Sequence, residues 1–258
     1  MKTFPPLFHV ARGASTVLLM IFAFSPAPAR GARGVPQPKV YAALLAKARA
    51  GTLQINPGEP VAKRFLFFGP AKRSTLPPDV FAGVYRKTAK TSFSSASVQK
   101  FSTLNGLFAP LPTDSKMSQK FPGLLAKADT VRVASERRTV KVPAWIYWVA
   151  DESDRDFHII LGSTAHLTTA TIFMNSEVSG LPPAHPTRSP FPQRRTGIRK
   201  ILATHENING LFKTPVPVFV TDSLLWDGEH RSPNNVGPEG LRPTKAWEIH
   251  PIKLLAER

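Results

Sequence analysis

Three stretches of this chain set a carboxylate beside an imidazole. Asp154, Asp156 and His158 alternate at the start of an apolar run, residues 157–161 (FHIIL). Glu248 and His250 lie two apart within residues 246–252 (AWEIHPI). Asp227, Glu229 and His230 crowd the turn that follows residues 216–225 (VPVFVTDSLL). Side chains at i and i+2 share one face of a strand, so each strand presents its acid and its imidazole together. Imidazoles with a carboxylate can hold a divalent metal such as zinc and leave a position for water. A carboxylate can also orient an imidazole as a general base. The competing assignment is structural, because a buried histidine bonded to an acid can fasten a strand or a turn. The candidate ligand or metal site is therefore Asp156, His158, Asp227, His230, Glu248 and His250, and a divalent metal is the cofactor that set would accept. Neither an H-E-x-x-H helix nor a G-x-S-x-G elbow is present. With no cysteine, thiolate metal sites, cysteine nucleophiles and disulfides are excluded.

The elements that must carry these residues are mostly β. Prolines number 26 and often cluster, which breaks long helices. Residues 130–134 and 138–149 alternate or run β-rich, and 157–161 and 168–174 follow as strands of a meander, with an acidic turn at 151–154. A Pro-rich loop at 181–192 leads to an amphipathic helix over 193–209, with Ile198, Ile201, Leu202 and Ile208 mostly on one face. Strands return at 216–225 and 246–255. Three strands, a helix and two strands is the element order of an OB-like five-stranded barrel. Trp145, Tyr147 and Trp148 are expected to fill its core, with a stacking platform for bases or sugars as the alternative. His166, His185 and His205 are expected at the surface.

The first half has a different texture. A helix is expected over 40–50, stopped by Gly51, and a strand over 65–68. Residues 88–103 read as a loop or a polar strand pair, and Asn105-Gly106 and 110–115 as turns. Charge separates the halves. Residues 30–141 hold 20 Lys/Arg against 5 Asp/Glu, whereas residues 142–258 hold 12 of each, within a net charge of +17. A basic field attracts polyanions such as nucleic acid, lipopolysaccharide or acidic polysaccharide. Lys63, Arg64, Lys72, Arg73, Arg86 and Lys87, several beside aromatic residues, are the candidate polyanion-binding set. At the front, Lys2 and Arg12 flank an apolar run over 14–24, followed by Ala27-Pro28-Ala29, the pattern of a cleavable signal peptide. The expected organisation is a signal peptide over 1–29, a basic α+β or irregular region over 30–128 and the OB-like domain over 129–258. The expected location is the periplasm or the cell exterior.

Three segments carry a resemblance. Residues 154–161 (DRDFHIIL) resemble a D-x-D-x-H strand start, residues 246–252 an AWEIHP closing strand, and residues 218–227 with His230 a V-x-V-T-G-x-L-x-x-D…H strand and turn. Together they are similar to a family of poorly characterised bacterial proteins, often exported, with an OB-like barrel. The resemblance covers about residues 130–258 and implies a fold more than an activity. Asp222 stands where the pattern has Gly, which puts the local backbone in question. The reading placed first is an exported protein that binds a polyanion. Its alternatives are a metal-dependent hydrolase, a phosphodiesterase or nuclease using the acid–His pairs, and a structural envelope protein.

Overall fold

A computed structural model describes residues 39–56, 59–60, 85–124, 129–152, 156–180 and 191–258. Segment 1–29, the expected strand at 65–68, Lys63, Arg64, Lys72, Arg73, Asp154, His185 and loop residues 181–190 lie outside them. In chain order the elements are α1 (Lys39–Arg49), β1 (Gln54–Asn56), β2 (Glu59–Pro60), α2 (Lys87–Thr91), β3 (Val98–Lys100), α3 (Leu104–Phe108) and α4 (Asp114–Lys120). Then follow β4 (Thr139–Asp151), β5 (Phe157–Gly162), β6 (Phe173–Val178), α5 (Phe191–Thr204), β7 (Asn207–Ile208), β8 (Leu211–Trp226) and β9 (Trp247–Glu257). Among the described residues no helix is long and apolar enough to cross a membrane.

The structure is mostly sheet, and five strands close a ring. β4 bonds to β5, β5 to β6, β6 to β9, β9 to β8, and β8 back to β4; only β6–β9 is parallel. Alternation explains the closure. Val140, Val142, Ala144 and Ile146 of β4 join Val216, Val218 and Val220 of β8 in one apolar core. Phe157, Ile159, Leu161, Met174, Val178, Trp247, Ile249 and Ile252 complete it from the other three strands. Ile198 and Ile201 of α5 and Leu104, Leu107 and Phe108 of α3 pack on the same core.

A register shift between Ile146 and Trp148 decides where the site goes. The extra residue of a bulge reverses which side chains face the core. Val149 therefore stays with the main core, while Tyr147, Trp148 and Ala150 turn to a second one with Tyr41, Leu44, Leu45 and Ile160. The face of β5, β6 and β9 away from the main core carries His158, Ile160, Glu177 and Glu248. Pairing of His158 with Glu177, and of Asn175 with Glu248, sets these side chains in adjacent rows. This face would be solvent-exposed in a bare ring, but here α1, Lys90 of α2 and the 227–230 turn pack over it.

Several sequence expectations are corrected. Residues 130–134 form no strand; the chain there is irregular and then makes a 3-10 turn, Ala134–Glu136. The third strand begins at Phe173 rather than 168, because Thr168 and Thr171 tie a turn through backbone and hydroxyl bonds of 3.1 and 2.9 Å. Helix α5 stops at Thr204. Asn209 (φ 52) and Gly210 (φ 77) form the tight turn between β7 and β8, a hairpin signal hidden by the apolar periodicity around it. The turns expected near 105 and 110–115 include two short helices, capped by Thr103 and Thr113 hydroxyls. Within 88–103 the chain forms α2 and an edge strand parallel to β4. Asp222 lies at a register irregularity of β8, and its backbone is not left-handed, so the missing glycine is not needed there.

Candidate metal centre

The two distant acid–His strands converge. Glu177 of β6 lies between them, with Oε1 3.1 Å from His158 Nδ1 and Oε2 2.8 Å from His250 Nδ1. Glu248 does the same one row along: Oε2 is 3.3 Å from His250 Nδ1, and Oε1 is 3.0 Å from His230 Nδ1. Asp156 Oδ2 is 3.9 Å from His250 Nε2, and its Oδ1 accepts the Gly180 backbone N–H at 2.6 Å. Asp227 Oδ2 is 3.8 Å from His230 Nδ1, while its Oδ1 accepts the Glu229 backbone N–H and so shapes the turn. The six residues singled out in the sequence are thus one cluster, not scattered pairs.

Sequence reasoning missed two members. Glu177 sat in an apolar strand with no neighbouring histidine in sequence; the signal was a lone acid two residues from Asn175, on the face opposite Met174 and Val178. Lys90 sat in the Ser/Thr/Lys-rich stretch, yet its Nζ lies 2.7 Å from Asp227 Oδ2 and its side chain is buried.

Two buried arginines hold Lys90 in place. Arg86 forks onto Glu136 at 2.6 and 2.7 Å, and Glu136 also accepts the Trp226 N–H at 2.8 Å. This grip fixes Arg86 in a left-handed backbone (φ 50) at the start of α2. Arg132 donates to the carbonyls of Ala89, Ser92 and His250 at 2.8, 2.9 and 2.6 Å, and also to that of Leu224. α2 is thereby tied to β9 directly behind the cluster. Arg86 is corrected as a polyanion contact: it is 1% exposed and spent on Glu136. Lys87 is half-buried.

Burial and mutual charge set the protonation of the cluster. Desolvation opposes the imidazolium of His250, but Glu177, Glu248 and Asp156 outweigh it and push its pKa up to about 10. His230 is desolvated too, and Asp227, Glu248 and Glu177 raise it to about 9. His158 is raised, with its bond to Glu177 outweighing burial. Burial would raise Glu177, yet His250 and His158 hold it well below the usual carboxylate range. Asp227 is depressed against its burial by Lys90 and His230, and Lys90 is raised against its burial by Asp227, Glu177 and Glu248. Without a metal the cluster is a closed set of buried ion pairs.

Among the cluster's buried polar atoms, Asp156 Oδ2 and Asp227 Oδ2 have only ion-pair partners, at 3.9 and 2.7 Å. His158 Nε2 is buried and meets no hydrogen-bond partner among the described residues. A buried polar atom left in that state costs about 1–3 kcal/mol. Donor atoms of His158, Glu177 and His230 lie within 4.8 Å of one another, as do those of Asp156, Glu177 and His250, and those of Asp227, His230 and Glu248. Ligands about 2.1 Å from one tetrahedral zinc are about 3.4 Å from one another, so donors at the outer limit of each set would have to close by about 1 Å or more. Imidazole and carboxylate together suit zinc, manganese, iron or cobalt better than magnesium or calcium. His230, 23% exposed, is the member of the cluster nearest solvent.

The remaining candidates lie elsewhere. Tyr147 and Trp148 are core, as expected, while Trp145 is half-buried under Arg258, 4.3 Å from its ring. His205 is half-exposed and 3.3 Å from Glu257. A cavity of about 680 Å³ is lined by Val40, Leu167, Phe173 and Arg242, and contains none of the cluster. No protein-family model, curated protein or solved structure matches the chain.

Proposed function

We propose that this protein is a divalent-metal-dependent hydrolase of phosphodiester or related polyanionic substrates, built on an OB-like barrel. The carrying observation is the meeting of three imidazoles and four carboxylates from β5, β6, β9 and the 227–230 turn, with His158 Nε2 unpartnered. A ring whose parallel pair is β6–β9, with a helix between β6 and β8, supports the OB-like reading. Three of the ring's segments also carry the resemblance to exported bacterial proteins, and every cluster acid and histidine except Glu177 falls within them. Export by the segment over 1–29 belongs to the same proposal, as does a basic region that draws in the substrate.

Purified protein loaded with Zn²⁺ or Mn²⁺ should cleave a chromogenic phosphodiester or single-stranded nucleic acid. Chelation should abolish the cleavage, as should His158→Ala and His250→Ala. A loaded, folded protein with no cleavage of any phosphodiester would refute the substrate class. Stoichiometric failure to bind metal would refute the reading itself.

A second reading, polyanion binding without chemistry, is favoured by one surface. Lys141 lies 5.2 Å from the Phe219 ring, Arg258 reaches both Trp145 and Phe219, and Arg138 lies 5.8 Å from Phe101. These cations on aromatic rings, at and beside β4 and β8, suit a single strand. Binding that does not weaken with rising salt would contradict it.

A further inference from the structure

We infer that the cluster is a two-ion centre, with one ion among Asp156, Glu177 and His250 and a second among Asp227, His230 and Glu248. The inference rests on the metal reading above. It starts from the grouping of donor atoms. Among the described residues each set of mutually close donors ends at three members, and these two sets share no residue. The third set, His158, Glu177 and His230, borrows one member from each. A single ion centred in either disjoint set would leave the other unused.

Bridging carboxylates link the positions. Glu248 directs Oε1 to His230 and Oε2 to His250, one histidine from each set. Glu177 directs Oε2 to His250 and Oε1 to His158, whose ring lies 5.5 Å from that of His230. Carboxylates whose two oxygens face different imidazoles are placed to span ions about 3.5–4 Å apart, the spacing of two-metal hydrolytic sites. His158, with Nδ1 3.1 Å from Glu177 Oε1, stands at the junction of the two positions.

Charge supports the same count and adds a substrate class. Each disjoint set holds two carboxylates and one imidazole, which balance one dication. Lys90 on Asp227 is then one positive charge in excess, at the set whose member His230 reaches solvent. A doubly loaded centre therefore selects an anion, such as a phosphate oxygen, at its outer position. One ion would leave the cluster with unbalanced carboxylates and no such excess.

The test uses the full chain, stripped with a chelator, dialysed and titrated with Zn²⁺, with metal content measured after removal of free ion. Two ions per chain are expected for the wild type. One is expected for Asp156→Asn and one for Asp227→Asn, each checked for native circular dichroism. One ion in the wild type overturns the two-ion centre and leaves the metal reading standing; none overturns both. Where a variant fails to fold, Mn²⁺ on the wild type decides. At two equivalents the isolated-ion electron paramagnetic resonance signal should be lost to spin coupling. Two bound ions with uncoupled spectra overturn the shared centre.

Discussion

Replacing Glu177 by Gln in the metal-free protein removes the charge that lies between the fully buried imidazoles of His158 and His250. The amide keeps the shape and one acceptor, but His158 and His250 lose their common counter-ion. Breaking a buried pair from one side costs about 3–5 kcal/mol, against a total stability of about 5–15 kcal/mol for a typical domain. At about 2–4 °C per kcal/mol for a chain of this size, the melting temperature should fall by roughly 6–20 °C. The pH dependence identifies the cause. His250, raised from 6.5 to about 10 in the fold, contributes stability fully below its unfolded pKa, and loses it as pH rises through the folded value. The deficit of Glu177→Gln should thus be largest near pH 6 and shrink towards pH 10. Thermal and urea unfolding in chelator at both ends of that range would measure it. A deficit under about 1 kcal/mol near pH 6, or one that does not change with pH, would refute the ion-pair reasoning.

Other expectations follow from the same contacts. In chelator the wild type should lose stability as pH falls below the ordinary carboxylate range, because Glu177 and Asp227 are depressed in the fold and their contribution disappears as they protonate; an acid titration of the unfolding midpoint checks it. Arg86→Ala should destabilise by about 3–5 kcal/mol by stranding Glu136, without reducing the salt dependence of polyanion binding, as unfolding and binding assays would show. Gly162→Ala should cost about 1–3 kcal/mol, since its Cβ would lie 2.3 Å from Tyr147 Cε2. That ring is held edge-on by Tyr41 and Phe173 and by its own bond to the Thr164 carbonyl, so it has little room to yield.

Much of the ring was legible because period-two alternation is written into β4, β5, β8 and β9, and the order of long elements followed from it. Six of the seven metal-type ligands were legible because acid and imidazole sit two apart on strands or together in one turn. Glu177 was not, since its partners come from β5 and β9 and no local spacing announces a cross-strand contact. Lys90 and the Arg86–Glu136 pair were hidden for the opposite reason. Their Lys/Arg-rich surroundings looked like a solvated surface, whereas the fold uses those cations to neutralise buried acids. The Asn209-Gly210 hairpin was lost because Ile201, Leu202 and Ile208 extended the helical period past its true stop.

The central claim is that the convergence of His158, Glu177, His230 and His250 exists to hold metal. Anomalous diffraction from crystals soaked in Zn²⁺, collected on either side of the zinc edge, tests it most directly. The account predicts density within about 2.0–2.2 Å of these side chains, with His158 Nε2 or Nδ1 among the ligands. A fully soaked crystal showing zinc only at surface histidines, with the ion pairs of Glu177 intact, would contradict it.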